Sequence, residues 1–113
     1  MLRIVLQFNG EEVSVLQTDR DQITVGRDPG SDLIIDNIGV SQNHARSFRE
    51  GGSYWIEDLQ STNGTLVNGR KIDRSPLADG DRVRILKFSL VITTDAKARQ
   101  AAFDEIIPPT YKV

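Results

Sequence analysis

Short segments rich in Val, Ile and aromatic residues follow one another from residue 2 to about residue 93. Pairs of turn-forming residues separate them, as at Asn9-Gly10, Gly51-Gly52 and Asp79-Gly80. Short strands between such turns are typical of an all-β sandwich built from antiparallel hairpins. We predict strands at residues 2–8, 12–16, 22–27, 33–35, 45–49, 54–58, 65–67, 70–72, 81–85 and 89–93.

The apolar positions of these strands predict the interior of the sandwich. Trp55 alternates with Tyr54 and Ile56, and we interpret it as a residue that packs the sandwich rather than one that stacks on a ligand. Asn68-Gly69 lies between two predicted strands and predicts a tight hairpin turn, because Asn and Gly adopt positive φ most easily. The other expected core residues are Ile23, Val25, Leu33, Ile35, Ala45, Phe48, Leu59, Val67, Leu77, Val83, Ile85, Leu90 and Ile92.

The chain after residue 94 differs in character. Residues 95–105 contain strong helix formers, which Thr94 or Asp95 could cap and Pro108-Pro109 would end. We therefore divide the chain into a sandwich domain, 1–94, and a C-terminal tail, 95–113. The tail is either a short helix or a flexible linker, and a linker would make the chain a fragment of a longer protein.

Composition and charge exclude several classes of function. The chain has 14 Lys and Arg against 16 Asp and Glu, and this balance argues against general nucleic-acid binding. The absence of cysteine, together with a single histidine, excludes disulfides, thiolate metal sites and a two-histidine metal centre. No apolar run approaches the roughly 20 residues of a membrane helix, and the first residues lack the features of a signal peptide. We expect a cytoplasmic protein with no cofactor, no metal and no membrane partner.

Three loops at predicted strand ends concentrate short polar residues. Gly26-Arg27 ends one strand, Ser41 and His44 precede another, and the segment 58–65, Asp-Leu-Gln-Ser-Thr-Asn-Gly-Thr, follows a third. Loops at one end of a sandwich are the usual place for a ligand, because strand interiors are committed to packing. Together with the Asn68-Gly69 hairpin, these blocks resemble in order and spacing the pattern of the forkhead-associated (FHA) domain, a phosphothreonine-binding β-sandwich. The resemblance covers about residues 2–93.

This resemblance implies a site for a phosphothreonine side chain. Such a side chain brings about 1.5 to 2 negative charges and three acceptor oxygens, so the site needs a fixed cation and several neutral donors. Arg27 is the candidate cation, since its planar fork can bond two phosphate oxygens at once. Ser41 is the candidate hydroxyl donor. The alternatives are a surface arginine paired with Asp28 or Asp32 and an ordinary turn serine.

The remaining site residues follow from the same resemblance. Gln42 stands where the family commonly has arginine, so we expect phosphate binding that is weaker and less steeply dependent on salt, whether or not Gln42 itself contacts the phosphate. Thr62 is expected to contact the phosphate or the residue beside it. Asn63 is expected to bond the peptide main chain, the alternative being that Asn63-Gly64 is simply a turn. The residues expected to support the site without contacting phosphate are Gly26, His44, Asp58, Ser61 and Gly64.

His44 invites a catalytic interpretation, which we reject. A general base needs a reacting group within reach and an orienting carboxylate, and the sequence pattern requires neither. We expect instead a buried neutral imidazole that bonds backbone groups on both sides and fixes the loop of Ser41. Asp58 and Ser61 are expected to bond turn amides, and Gly64 to supply a positive φ.

Two further groups of residues bear on specificity. The loops at residues 38–40 and 86–88 are expected to read the third residue after the phosphothreonine, and Lys87 suits an acidic residue there. Arg70, Lys71 and Arg74 form either a second basic patch or a solvated rim.

The sequence thus predicts a non-enzymatic module that binds threonine-phosphorylated proteins or peptides in Ser/Thr kinase signalling. The phosphorylated segment belongs to a partner protein or to the chain's own tail, which carries Thr110. An alternative keeps the fold but makes it a phospho-independent scaffold or oligomerisation domain, and Gln42 motivates it. An enzyme is the poorest interpretation, because the sequence has no metal constellation, no phosphate-binding P-loop and no nucleophile–base pair.

Overall fold

The computed structural model describes residues 1–94. Within this range the chain forms strands only, and no helix is long and apolar enough to cross a membrane. The predicted all-β sandwich is confirmed. The tail predicted to be a helix or a linker lies outside the described residues, and the division at residue 94 stays a prediction. The strands are β1 (Leu2–Phe8), β2 (Glu11–Thr18), β3 (Gln22–Gly26), β4 (Leu33–Ile34), β5 (Ala45–Glu50), β6 (Ser53–Asp58), β7 (Leu66–Val67), β8 (Arg70–Lys71), β9 (Arg74–Leu77), β10 (Arg82–Ile85) and β11 (Phe88–Thr94).

The strands form two sheets that enclose the core. One sheet has six strands in the order β2-β1-β11-β10-β7-β8, and the other has five in the order β4-β3-β5-β6-β9. In the five-stranded sheet, Val25 pairs with Ala45 and Ala45 pairs with Asp58. The end of β3, the start of β5 and the end of β6 therefore lie side by side. This register brings the three polar loops to one end of the sandwich.

The core follows the two-residue period of the strands. In β1, Leu2, Ile4 and Leu6 are buried while the residues between them are only half-buried. The predicted core positions are likewise buried, although Phe48 is buried on the outer face of its sheet, opposite Trp55. Leu59 and Trp55 are only half-buried. The prediction that they belong to the interior is wrong.

Trp55 lies on the outer face of the five-stranded sheet. Its neighbours Tyr54 and Ile56 are buried in the core, so the alternation of a strand directs Trp55 to the opposite side. There its ring stacks on Phe48 with centroids 6.5 Å apart, and the Arg74 guanidinium lies 5.0 Å from the Trp55 ring. Trp55 therefore packs against the outer face of its sheet and does not fill the space between the two sheets.

Two features of the sheets differ from the prediction. β9 was not among the predicted strands because it contains Pro76, which removes a backbone donor. β9 forms the edge of its sheet, the position at which a strand tolerates proline. In addition, β4 pairs with β3 in the parallel direction, Val25 opposite Leu33, so the sandwich is not antiparallel throughout.

Candidate functional site

Arg27 follows β3 and is half-buried at the loop end of the sandwich. Its backbone N–H donates to the Ser41 carbonyl oxygen at 3.0 Å, and its Nε donates to the Val40 carbonyl oxygen at 3.0 Å. Within residues 1–94, neither terminal nitrogen of its guanidinium has a hydrogen-bond or ion-pair partner. The alternative ion pair with Asp28 or Asp32 does not form. The side chain is held at Nε and presents its two terminal nitrogens.

The two carboxylates closest to this arginine in sequence are engaged elsewhere. Asp28 Oδ2 accepts a hydrogen bond from the Gly30 N–H at 2.9 Å, which closes a local turn. Asp32 accepts from the Thr24 N–H at 2.9 Å and from Arg20 Nη1 at 2.8 Å. The hydrogen bond from the Thr24 N–H lowers the pKa of Asp32, and Arg20 adds to this effect against the opposing contribution of burial.

Gly26 lies flat against the backbone of the loop that carries the second polar block. A Cβ atom at this position would stand 2.2 Å from the Gln42 carbonyl oxygen and 3.1 Å from the His44 nitrogen. Only glycine permits this approach, which sets the distance between the two loops. The Gln42 side chain is exposed and has no hydrogen-bond partner in the described part of the chain, so its amide is available to a ligand.

Ser41 joins the second and third polar loops. Its Oγ accepts a hydrogen bond from the Thr62 N–H at 3.0 Å. Because this oxygen acts as an acceptor, the hydroxyl hydrogen of Ser41 remains able to donate to another group. Thr62 itself is exposed. Arg27, Ser41 and Thr62 are thus linked by a chain of hydrogen bonds from three separate loops.

His44 is fully buried, with 0% of its surface exposed. Its Nε2 bonds the Gly64 carbonyl oxygen at 2.9 Å, and a carbonyl oxygen can only accept, so Nε2 carries the proton. Its Nδ1 accepts from the Ser41 N–H at 3.1 Å. The neutral ring therefore satisfies one backbone group on each side and ties the loop of Ser41 to the loop of Gly64.

Asp58 organises the third polar loop. Its Oδ1 accepts from the hydroxyls of Ser61 at 2.6 Å and Thr65 at 2.7 Å, and its Oδ2 accepts from the Ser61 N–H at 3.1 Å. The Ser61 hydroxyl oxygen accepts in turn from the Gly64 N–H at 2.9 Å. Burial raises the pKa of Asp58, but the hydrogen bonds from Ser61 and Thr65 outweigh burial and leave this pKa below its ordinary value.

Asn63 connects the third loop to the second through its side chain. Its Nδ2 donates to the Gly39 carbonyl oxygen at 2.8 Å, and the Gly39 N–H donates to Asn37 Oδ1 at 2.9 Å. One amide hydrogen of Asn63 is therefore used by Gly39, while its side-chain oxygen and second amide hydrogen have no hydrogen-bond partner within residues 1–94. Gly64 has a φ of 87°, as expected if Asn63-Gly64 is a turn. This turn does not exclude a contact role for the Asn63 side chain.

The two loops expected to read flanking residues lie against each other. A Cβ atom on Gly39 would stand 2.5 Å from Leu86 Cδ1, so the loop of residues 38–40 touches the loop of residues 86–88. Ile38 is 92% exposed next to this contact. The pair of loops forms an apolar rim beside the polar residues described above.

Sequence analysis missed three participants in this arrangement. Val40 and Gly39 contribute their carbonyl oxygens, and every residue carries such a group, so no sequence signal distinguishes them. Thr65 contributes a fully buried hydroxyl to Asp58. Its position in the Asn-Gly-Thr block was a signal that could have suggested this role.

Comparison with known proteins agrees with the geometry. The family model described as FHA domain matches residues 23–86. The glycogen accumulation regulator GarA of Mycolicibacterium smegmatis is 42% identical over 80 residues, covering 71% of this chain and 51% of that protein. The chain therefore spans about half the length of this curated relative.

Solved FHA domains have the same fold. The FhaA FHA domain, complexed with the intracellular domain of Rv3910, superposes with a TM-score of 0.72 at 27% identity, covering 81% of this chain and 99% of that one. A domain from a study of phosphothreonine-dependent FHA interactions gives 0.72 at 27%, covering 81% and 96%. On the matched family model and the sequence identity to GarA, the chain belongs to the FHA domain family.

Proposed function

We propose that this chain is a phosphothreonine-dependent binding module that connects a Ser/Thr kinase to the proteins it controls. The observation that carries the proposal is the Arg27 guanidinium, which is anchored at Nε and whose two terminal nitrogens have no partner among the described residues. An anchored planar fork suits the phosphate group, because two parallel hydrogen bonds can form without further ordering of the side chain. The FHA relatives support the same function, since one solved domain is described in terms of phosphothreonine-dependent interactions.

The roles of the individual residues follow from the donors that they leave unused. Arg27 binds two phosphate oxygens, the Ser41 hydroxyl donates to a further oxygen, and Thr62 adds its hydroxyl. Asn63 bonds the peptide main chain with the part of its amide that Gly39 does not use. Gln42 offers a neutral donor, so the site binds phosphate with a single cation and a shallow dependence on salt.

Five residues support this site by fixing the distances between its loops: Gly26, His44, Asp58, Ser61 and Gly64. The module has no catalytic role in this proposal. Both ring nitrogens of His44 bond backbone groups, so the ring has no nitrogen left to act as a general base. We place the module in the cytoplasm, where kinases and their substrates meet. Turnover that disappears in a His44→Ala variant would contradict the non-enzymatic assignment.

Three matched peptides test the proposal. They share one sequence and carry phosphothreonine, phosphoserine or unmodified threonine at the centre. We expect clear binding of the phosphothreonine peptide and none of the unmodified one by isothermal titration calorimetry. Burial of the threonine methyl group contributes about 0.8 kcal/mol, so the phosphoserine peptide should bind about fourfold more weakly. Equal affinity for phosphorylated and unmodified peptides would overturn the proposal and favour the phospho-independent scaffold.

A further inference from the structure

A cavity of about 490 Å³ lies between two edge strands, β8 of the six-stranded sheet and β9 of the five-stranded sheet. Arg70, Lys71 and Ile72 line one wall, and Arg74 and Pro76 line the other. None of the residues that line the cavity has a role in the proposed function. Its walls combine three cationic side chains with apolar surface.

The charge of this cavity is not neutralised by its surroundings. Arg70 and Lys71 are exposed, and neither has an ion-pair partner within residues 1–94. Arg74 is paired with Glu50. The acidic residue that lines the cavity, Asp81, accepts hydrogen bonds from Asn68 Nδ2 at 3.0 Å and from the Ala78 N–H at 2.8 Å. Arg70 and Lys71 together outweigh the single negative charge of Asp81, so the cavity keeps a net positive charge that attracts an anion.

Lys71 connects the cavity to the third polar loop. Its Cε lies 3.0 Å, and its Nζ 3.7 Å, from the position that a Cβ atom on Gly64 would occupy. In the β7–β8 hairpin Lys71 stands opposite Leu66, and its side chain lies close to Gly64 in the loop that holds Asn63. Lys71 therefore both lines the cavity and lies next to the loop that holds Asn63.

We propose that the cavity between β8 and β9 is a second anionic subsite, which binds acidic side chains of the same segment that carries the phosphothreonine. This inference rests on the proposed function and adds a specificity determinant to it. Lys71 and Arg70 attract carboxylate or phosphate groups that flank the phosphothreonine, while Ile72 and Pro76 contact the aliphatic part of those side chains. The subsite restores the positive charge that the site lacks at Gln42, at a different place on the surface.

Peptides with and without acidic flanks test the subsite. One phosphothreonine peptide has neutral flanks, and two others carry glutamates on its N-terminal or its C-terminal side. For the unmodified chain we expect one of the acidic peptides to bind about threefold to tenfold more tightly than the neutral peptide, which corresponds to one or two surface ion pairs. The gain should shrink at raised salt, because such pairs are screened.

Single charge-removing variants locate the gain. Lys71→Gln and Arg70→Gln should each reduce the gain while they leave the affinity for the neutral phosphothreonine peptide unchanged. Arg3→Gln is the matched control, because it removes the same charge from β1, which is separated from β8 by three strands or about 19 Å. This control should keep the full gain.

The possible outcomes separate the subsite from the phosphothreonine site. An acidic gain that survives both cavity variants, or one that Arg3→Gln reduces equally, overturns the subsite alone. A loss of affinity for the neutral peptide in Lys71→Gln assigns Lys71 to the phosphothreonine site and likewise overturns the subsite. A chain that binds none of the phosphorylated peptides overturns the proposed function, and the subsite with it.

Discussion

Replacement of Arg27 by alanine is the most direct test of the site, and its effect can be worked out from the hydrogen bonds. Nε of Arg27 is already occupied by the Val40 carbonyl oxygen, which leaves two terminal nitrogens for phosphate. Each charge-assisted hydrogen bond contributes about 1.5–3 kcal/mol. Because the side chain is only half-buried, the lower figure applies, and the pair contributes about 3 kcal/mol. The dissociation constant of a phosphothreonine peptide should therefore rise about a hundredfold in Arg27→Ala.

Two further variants distinguish the planar fork from its charge. Arg27→Lys retains the positive charge, but an ammonium group cannot bond the Val40 carbonyl oxygen and two phosphate oxygens with the same fixed geometry. We expect an intermediate loss of about tenfold. Arg20→Ala is the matched control, since Arg20 is an exposed arginine paired with Asp32 and should not affect peptide affinity.

Isothermal titration calorimetry with one phosphothreonine peptide measures all three variants, and urea unfolding of each one checks that the fold is intact. In the part of the chain that the structure describes, Arg27→Ala removes a single side-chain hydrogen bond, so its free energy of unfolding should fall by no more than about 1 kcal/mol. A folded Arg27→Ala variant that binds the peptide within about threefold of the unmodified chain would refute the assignment. A threefold change corresponds to about 0.7 kcal/mol, far less than the roughly 3 kcal/mol expected from two charge-assisted hydrogen bonds.

The supporting residues lead to further predictions, each read by urea unfolding. Gly26→Ala should lower the free energy of unfolding by about 1–3 kcal/mol, because its Cβ would collide with the backbone of Gln42, whereas Gly30→Ala meets only a flexible side chain and should be nearly neutral. His44→Phe should lower it by about 2–4 kcal/mol, because a buried N–H and a buried carbonyl lose their partners; a loss below about 1 kcal/mol would contradict the structural role. The pKa of Asp58 is lowered below 3.8 in the folded state, so its ionised form stabilises the fold above that pH, and this contribution is lost as the pH falls through the folded pKa. Between about pH 5 and pH 3 the unmodified chain should therefore lose more stability than Asp58→Asn, and parallel losses would contradict the lowered pKa.

The local sequence predicted most of the strands, because a strand's alternation and its turn residues are properties of neighbouring positions. Pro76 hid β9 from this reasoning, since proline is excluded from central strands but allowed at an edge, and only the assembled sheet makes β9 an edge. The position of Trp55 was decided in the same way. Alternation separates Trp55 from Tyr54 and Ile56 but does not tell which side of the strand faces the second sheet.

For the site, the sequence by itself determined which residue types were available and in which loops they stood, because the four motif blocks are visible as short runs of the chain. Only the tertiary structure decided how those blocks meet. The anchoring of Arg27 by the Val40 carbonyl oxygen and the bridge from Asn63 to Gly39 join residues far apart in sequence through backbone atoms. Every residue possesses such atoms, so their part in a site depends on packing, and the same holds for the position of Lys71 above Gly64.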